Sequence, residues 1–240
     1  VAVGVGVGGP MLAALAREVA TDDPTGTRYA LVIDTKKCRK DEGCTDCIAA
    51  CHETHNVPDI GTKKEEVKWI WKEPYHKAFP SQVQRHMQEG LKDMPSLVLC
   101  NHCESPPCVR VCPTASTWKR EDGVVMMDMH RCIGCRYCIV ACPYGSRSFN
   151  WRDPDPYIDE KTFNADYPTR TKGVVEKCNL CAERLAKGQI PKCAEVCPHD
   201  AIAFGDINDP NSNVRKLLMT ERTVRRKPAL GTDPHVFYIV

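Results

Sequence analysis

The chain has 240 residues, of which 42% are hydrophobic and 27% charged, with 33 Lys and Arg against 31 Asp and Glu. That length and apolar fraction can build a core, which argues against a coreless disulfide scaffold, and a net charge of +2 gives no reason to expect a nucleic-acid partner. What stands out is 16 cysteines, all of them in four groups of four.

In chain order, residues 1–16 form an uncharged, glycine-rich apolar stretch ending in Ala14-Leu15-Ala16. It reads as the hydrophobic part of an export signal, with 1–20 expected to be a signal-like segment or retained anchor. Its V-G-V-G-V-G-G is not attached to a βα unit, so it is not read as a nucleotide-binding loop. The apolar run 29–33 leads into the first group, Cys38, Cys44, Cys47 and Cys51. Residues 61–95 follow as an insertion, and the wider 52–95 stretch carries Trp69, Trp71, Tyr75 and Phe79. Packing over the core is the expectation for these rings, and a docking surface the alternative. Residues 97–99 lead into Cys100, Cys103, Cys108 and Cys112, and Asp122-Gly123 marks a tight turn opening the strand before Cys132, Cys135, Cys138 and Cys142. Residues 150–172 are rich in proline and aspartate and read as an ordered loop. Val174-Val175 leads into Cys178, Cys181, Cys193 and Cys197, which bracket a helical turn with Gly188 as C-cap and Pro191 as stop. The tail 206–240 should hold a helix near 214–222 and a strand over 235–240. Arg215, Lys216, Arg222, Arg225, Arg226 and Lys227 make it basic, and a solvated face is expected over an acidic or lipid partner.

Behind three groups the chain leaves through C-P-T-A-S-T, C-P-Y-G-S-R-S-F and C-P-H-D-A-I-A-F. Each unit therefore reads as strand, cysteine loop, short helical turn and return strand, an α+β architecture of small elements. Four soft thiolates per site suit a [4Fe-4S] cube, and sixteen suit four cubes with none left over. Zinc is the competing metal, but zinc pairs are usually separated by a long loop, and the prolines after Cys112, Cys142 and Cys197 have no role in a zinc ribbon. His52, His55, His102, His130 and His199 lie near the groups and are assigned supporting or surface roles, since each cube already has four thiolates. With clusters serving as much of the core, apoprotein should fold poorly. Only residues 113–131 separate groups two and three, so these should share one module, with groups one and four pairing across it; spacing alone does not decide the matter.

The third group, C-I-G-C-R-Y-C-I-V-A-C-P, resembles the C-x2-C-x2-C-x3-C-P run of bacterial ferredoxins. With C-N-H-C-E-S-P-P-C-V-R-V-C-P-T and E-K-C-N-L-C-A-E-R-L-A-K-G-Q-I-P-K-C-A-E-V-C-P, the chain from about Tyr29 onward resembles the four-cluster ferredoxin subunits of membrane oxidoreductases. That family includes the DMSO, polysulfide and tetrathionate reductase subunits and the NrfC type. N-W-R-D-P and P-T-R-T-K-G-V-V-E-K-C are nearest the DsrO type of the DsrMKJOP complex.

The resemblance implies two interlocked ferredoxin-like modules, one from 21–60 with 173–205 and one from 96–150, linked by 151–172. It implies four ligand sets: Cys38, Cys44, Cys47 with Cys197; Cys178, Cys181, Cys193 with Cys51; Cys100, Cys103, Cys108 with Cys142; and Cys132, Cys135, Cys138 with Cys112. Group one departs from the pattern, because residues 39–43 must bulge outward and His52 stands where proline is usual. The implied function is electron transfer without catalysis, between an integral quinone-interacting membrane subunit and a multihaem cytochrome c or catalytic redox subunit. The expected assembly is a membrane-associated Dsr-type sulfur-metabolism complex, with the electron-transfer subunit of a molybdopterin reductase or NrfC-type nitrite reduction as the alternative. Export of the folded protein by the twin-arginine route to the periplasmic face would keep its thiolates protected.

Overall fold

A computed structural model describes residues 26–39, 43–168 and 170–240. The signal-like start and the middle of the 39–43 insertion lie outside the described residues. Among the described residues the strands are β1 (Tyr29–Asp34), β2 (Ile70–Pro74), β3 (Pro95–Leu99), β4 (Thr117–Lys119), β5 (Val125–Met127), β6 (Ser148–Phe149), β7 (Val175–Glu176), β8 (Ile202–Asp206), β9 (Thr223–Val224) and β10 (Val236–Ile239). The α-helices among the same residues are α1 (Thr35–Cys38), α2 (Asp46–His55), α3 (Tyr75–Ala78), α4 (Pro107–Arg110), α5 (Tyr137–Ala141), α6 (Ala182–Leu185), α7 (Lys192–Glu195) and α8 (Asn213–Thr220). The architecture is mixed α+β.

The strand leaving each cysteine group pairs antiparallel with the strand entering the next: β2 with β3, β4 with β5, and β6 with β7. After the fourth group, β8 pairs antiparallel with β1, closing the series on itself. The last segment completes the main sheet in the order β8-β1-β10-β9, with β10 parallel to β1.

β1 reads Y-A-L-V-I-D without polar alternation because both of its faces are covered. Leu31 and Ile33 face the large core that contains Cys47, Cys51, Cys100, Cys178 and Cys193. Ala30 and Val32 face the other way, against Val214, Leu217 and Leu218 of α8. Each such branched side chain contributes about 1.5–3 kcal/mol by leaving water. α8 is set by Ser212, whose hydroxyl accepts from the Arg215 amide at 3.1 Å, and it keeps Arg215 and Lys216 exposed.

The aromatic insertion packs inward. Trp69, Trp71 and Phe79 are buried, and Phe79 meets Tyr238 edge-on at 4.8 Å. These rings are therefore core, and the docking alternative for them falls away. The basic tail needs a correction as well. Arg226 is only 1% exposed. Its Nε donates to the Ala78 carbonyl at 3.1 Å, its Nη2 pairs with Glu73 at 3.2 Å, and it lies 5.5 Å over the Tyr144 ring. A face expected to be solvated thus contributes a bolt through the core.

Candidate metal centres

Three of the four loops share one backbone device. The residue before the second cysteine is left-handed in each: His102 at φ 41, Gly134 at φ 70 and Leu180 at φ 59. So is the third residue after the fourth cysteine, with Ala115 at φ 51, Gly145 at φ 65 and Asp200 at φ 47. Their amides close turns onto the carbonyls of Cys112, Cys142 and Cys197 at 3.4, 3.5 and 3.2 Å. Left-handed turns bring amides onto sulfur: Leu180 N donates to Cys178 Sγ at 3.4 Å, and Ala201 N to Cys197 Sγ at 3.3 Å. Lys192 N likewise donates to Cys181 Sγ at 3.4 Å.

The third cysteine of each of these groups sits on one helical turn: Cys108 on α4, Cys138 on α5 and Cys193 on α7. Proline after the fourth cysteine then forces the chain out of helix, because the residue before proline is driven away from the α region. Cys142, for example, is extended at φ −79, ψ 110. Group one lacks that stop. With His52 in the proline position, α2 carries Cys47 and Cys51 on successive turns and runs on to a left-handed Asn56 at φ 50.

All sixteen cysteines are unbridged. The thiols that act electrostatically on Cys47 are Cys38, Cys197 and Cys44, and those on Cys51 include Cys178, Cys193 and Cys181. For Cys103 they are Cys100, Cys108 and Cys142, and for Cys138 they are Cys108 and Cys132. Burial, and then the neighbouring thiols, push Cys47, Cys103 and Cys178 up to about 12. Bare thiolates are therefore disfavoured there, and loading metal must displace protons. Cys112 is the exception: burial raises it, but hydrogen bonds with Ser116, at 3.1 Å, and with Thr114 outweigh that and hold it at about 7.

A small cavity shows which donors would meet a metal cluster. It is lined by Cys100, Cys103, Cys108 and Cys142, with Val125 and Arg147 beside them. Arg147 Nη2 is buried without a hydrogen-bond partner among the described residues. A four-thiol cradle with an unmatched donor fits a sulfide-bearing cube.

Two of the histidines are buried among these groups. His55 Nδ1 lies 2.8 Å from the Cys51 carbonyl and its Nε2 lies 2.8 Å from Glu183 Oε1. Burial opposes its charged form, but hydrogen bonds with Cys181 and Glu183 prevail and hold it at about 9. His102 accepts from the Val125 amide at 3.0 Å, and burial keeps it far below the usual imidazole range. His130 is exposed, while His52 and His199 are half-buried. Sequence reasoning missed Arg147, Lys177 and Glu183. Lys177 adjoins Cys178 and so had a local signal, whereas the other two had none. On the outside, Ile133, Tyr137 and Val140 are exposed around Cys132, Cys135 and Cys138. Among the described residues, no helix is long and apolar enough to cross a membrane.

Four cysteine groups, three of them on a shared backbone pattern, with a thiol-lined cavity between the second and third, define a multi-cluster iron–sulfur protein. Residues 95–155 and 153–207 match the 4Fe-4S dicluster domain family. The chain is 40% identical to the Hdr-like menaquinol oxidoreductase iron-sulfur subunit 1 of Archaeoglobus fulgidus, over 88% of this chain and 82% of that protein. It is 34% identical to the menaquinone reductase iron-sulfur cluster-binding subunit of Nitratidesulfovibrio vulgaris, over 88% of each. With the NrfC homolog of Haemophilus influenzae the identity is 35%, over 96% of this chain and 87% of that protein. The chain belongs to this 4Fe-4S dicluster family of iron–sulfur electron-transfer subunits of respiratory oxidoreductases. Its cofactors are four [4Fe-4S] clusters, and it works as one subunit of a multisubunit complex.

Proposed function

We propose that the chain conducts electrons between a quinone-linked membrane subunit and a second redox subunit, through four ligand sets. The first is Cys38, Cys44, Cys47 and Cys197, and the second is Cys51, Cys178, Cys181 and Cys193. The third is Cys100, Cys103, Cys108 and Cys142, and the fourth is Cys112, Cys132, Cys135 and Cys138. The observation that carries this reading is the mutual proximity of thiols from groups distant in sequence, above all Cys51 among Cys178, Cys181 and Cys193. When bound, the clusters supply one-electron exchange at successive points through the protein.

The residues between sets supply continuity. Cys47 and Cys51 lie one turn apart on α2 and join the first set to the second. Cys178 senses Cys100, joining the second to the third, and Cys138 senses Cys108, joining the third to the fourth. The row thus runs first, second, third, fourth, in two interlocked modules. Burial of the central thiols excludes water along it, and the amide-to-sulfur bonds stabilise the ligating form of Cys178, Cys181 and Cys197.

The reductase and menaquinol-oxidoreductase names of the relatives favour a reductase-type complex, in which a catalytic subunit is the electron partner. A Dsr-type assembly with a multihaem cytochrome c is the second reading, favoured by N-W-R-D-P and the P-T-R-T-K-G-V-V-E-K-C run. Exposed Ile133, Tyr137 and Val140 beside the fourth set suit a subunit contact. Residence on the extracytoplasmic face, after export in the folded state, rests on the apolar residues 1–16 and is tested by protease accessibility in spheroplasts. The first experiment is iron and acid-labile sulfide on anaerobically purified complex. About sixteen of each per chain supports the four sets, whereas zinc without iron would end the reading. The chains that copurify then decide between the assemblies: a large molybdopterin subunit or a multihaem cytochrome c.

A further inference from the structure

Lys177 and Arg147 are buried cations with no carboxylate partner among the described residues. Lys177 is 2% exposed and Arg147 5%. Lys177 Nζ donates to the Cys178 carbonyl at 2.6 Å and also to the Val125 carbonyl. Cys178 belongs to the second ligand set, and Val125 lines the cavity enclosed by the third. The lysine thus ties the backbone of one set to the wall of the next. Its neighbour Glu176 does not neutralise it, because that carboxylate is taken by Arg170, Asn150 and Trp69.

Arg147 sits at the next junction, between the third set and the fourth. Besides thiol sulfur, its Nη1 meets only neutral acceptors, Thr117 Oγ1 at 3.1 Å and Met127 Sδ at 3.7 Å, and its Nη2 is unmatched. The thiol groups that act on it are Cys108 and Cys100 of the third set and Cys138 of the fourth. The contrast with the other buried cations is sharp. Arg170 has Glu176 and Arg226 has Glu73.

A buried charge without a counter-ion is strongly disfavoured. A set of four thiolates around a cluster is anionic, and each added electron makes it more so. We propose that Lys177 and Arg147 set the potentials of the relay: their counter-charge is the pair of clusters flanking each, and they hold those clusters at more positive potential than the thiol sets alone would. Lys177 acts on the second and third sets, Arg147 on the third and fourth, and neither on the first. The third set, between both cations, is raised most. This rests on the four ligand sets proposed for the chain, and it adds which non-ligand residues order them energetically. Both are positioning residues, since neither exchanges electrons.

The test is an EPR-monitored redox titration of the anaerobically purified complex, with iron content measured on the same samples. The variants are Lys177→Gln, Lys177→Arg, Arg147→Gln and Arg147→Lys. Each glutamine variant is expected to move two of the four midpoints negative, one of them common to both variants, while the charge-keeping variants stay near wild type. If a glutamine variant loses iron, retention of iron by its charge-keeping partner supports the proposal, and equal loss in that partner overturns it. Unchanged midpoints in glutamine variants with full iron overturn it too, as does a uniform shift of all four. Failure of the underlying reading looks different, because wild type itself would then lack four cluster signals and about sixteen iron.

Discussion

Glu176 is a residue whose loss should cost the fold heavily without touching a proposed ligand. Its side chain is 0% exposed and that of its partner Arg170 is 1%. One carboxylate oxygen accepts from Arg170 Nε at 2.6 Å and from Asn150 Nδ2 at 2.5 Å. The other accepts from Trp69 Nε1 at 2.9 Å, and Arg170 continues to the His55 carbonyl at 2.7 Å. Glu176→Gln keeps the shape but turns an amide NH2 toward a donor and removes the carboxylate that pairs with Arg170. Breaking a buried pair from one side costs about 3–5 kcal/mol. At about 2–4 °C per kcal/mol for a chain of this size, the melting midpoint should fall by about 6–20 °C. The assay is thermal loss of visible iron–sulfur absorbance under anaerobic conditions, at one fixed scan rate because cluster loss is irreversible. Removing both partners, as Glu176→Leu with Arg170→Met, should recover part of the loss, since no uncompensated charge remains. A fall of less than about 2 °C in Glu176→Gln, or a double variant no better than the single one, would refute the reasoning.

Gly134→Ala should cost cluster occupancy at the fourth set: a Cβ there would lie 2.4 Å from the Gly173 carbonyl, at φ +70. Iron analysis should fall from about sixteen toward about twelve per chain, and full occupancy would contradict the argument. Arg226→Ala should destabilise by about 1–3 kcal/mol, because it leaves Glu73 and the Ala78 carbonyl without their shared donor; a midpoint equal to wild type in the same thermal assay would return that arginine to the solvated face. His235 is held down to about 4, first by burial and then by Arg28. Its folded pKa lies below its unfolded value near 6.5, so the unfolded chain binds the extra proton in between. The stability it contributes is present above about 6.5 and is lost as pH falls toward 4, by up to about 3 kcal/mol. His235→Gln should flatten that part of the stability–pH curve, and an unchanged slope between wild type and variant would exclude this histidine as its source.

What could be read in the sequence was local. The strand into each cysteine loop, the helical turn within it and the strand out of it all follow from short apolar runs, cysteine spacing and proline. The tail elements were legible to within a residue or two, the helix at Asn213–Thr220 and the last strand at Val236–Ile239. The Asp122-Gly123 turn was equally visible, and Gly123 indeed stands at φ +85 between β4 and β5. The expectation that clusters serve as much of the core is a statement about bound metal, and what the fold shows beside it is that Cys47, Cys51, Cys100, Cys178 and Cys193 pack in the largest apolar cluster.

What stayed hidden was the partnering of charges. Arg226 meets Glu73 across 153 residues, His55 meets Glu183 across 128, and Trp69 meets Glu176 across 107. No periodicity carries such information, so a basic tail reads as solvated although one of its arginines is locked inside. The same blindness extends to Arg147, which in sequence is only a charge after C-P-Y-G-S. Its meaning depends on two ligand loops closing over it. In an ordinary protein core a buried arginine without a carboxylate would argue against the structure. Here it argues for the cargo: the thiol sets are the missing anions, and the cations they tolerate distinguish one step of the relay from the next.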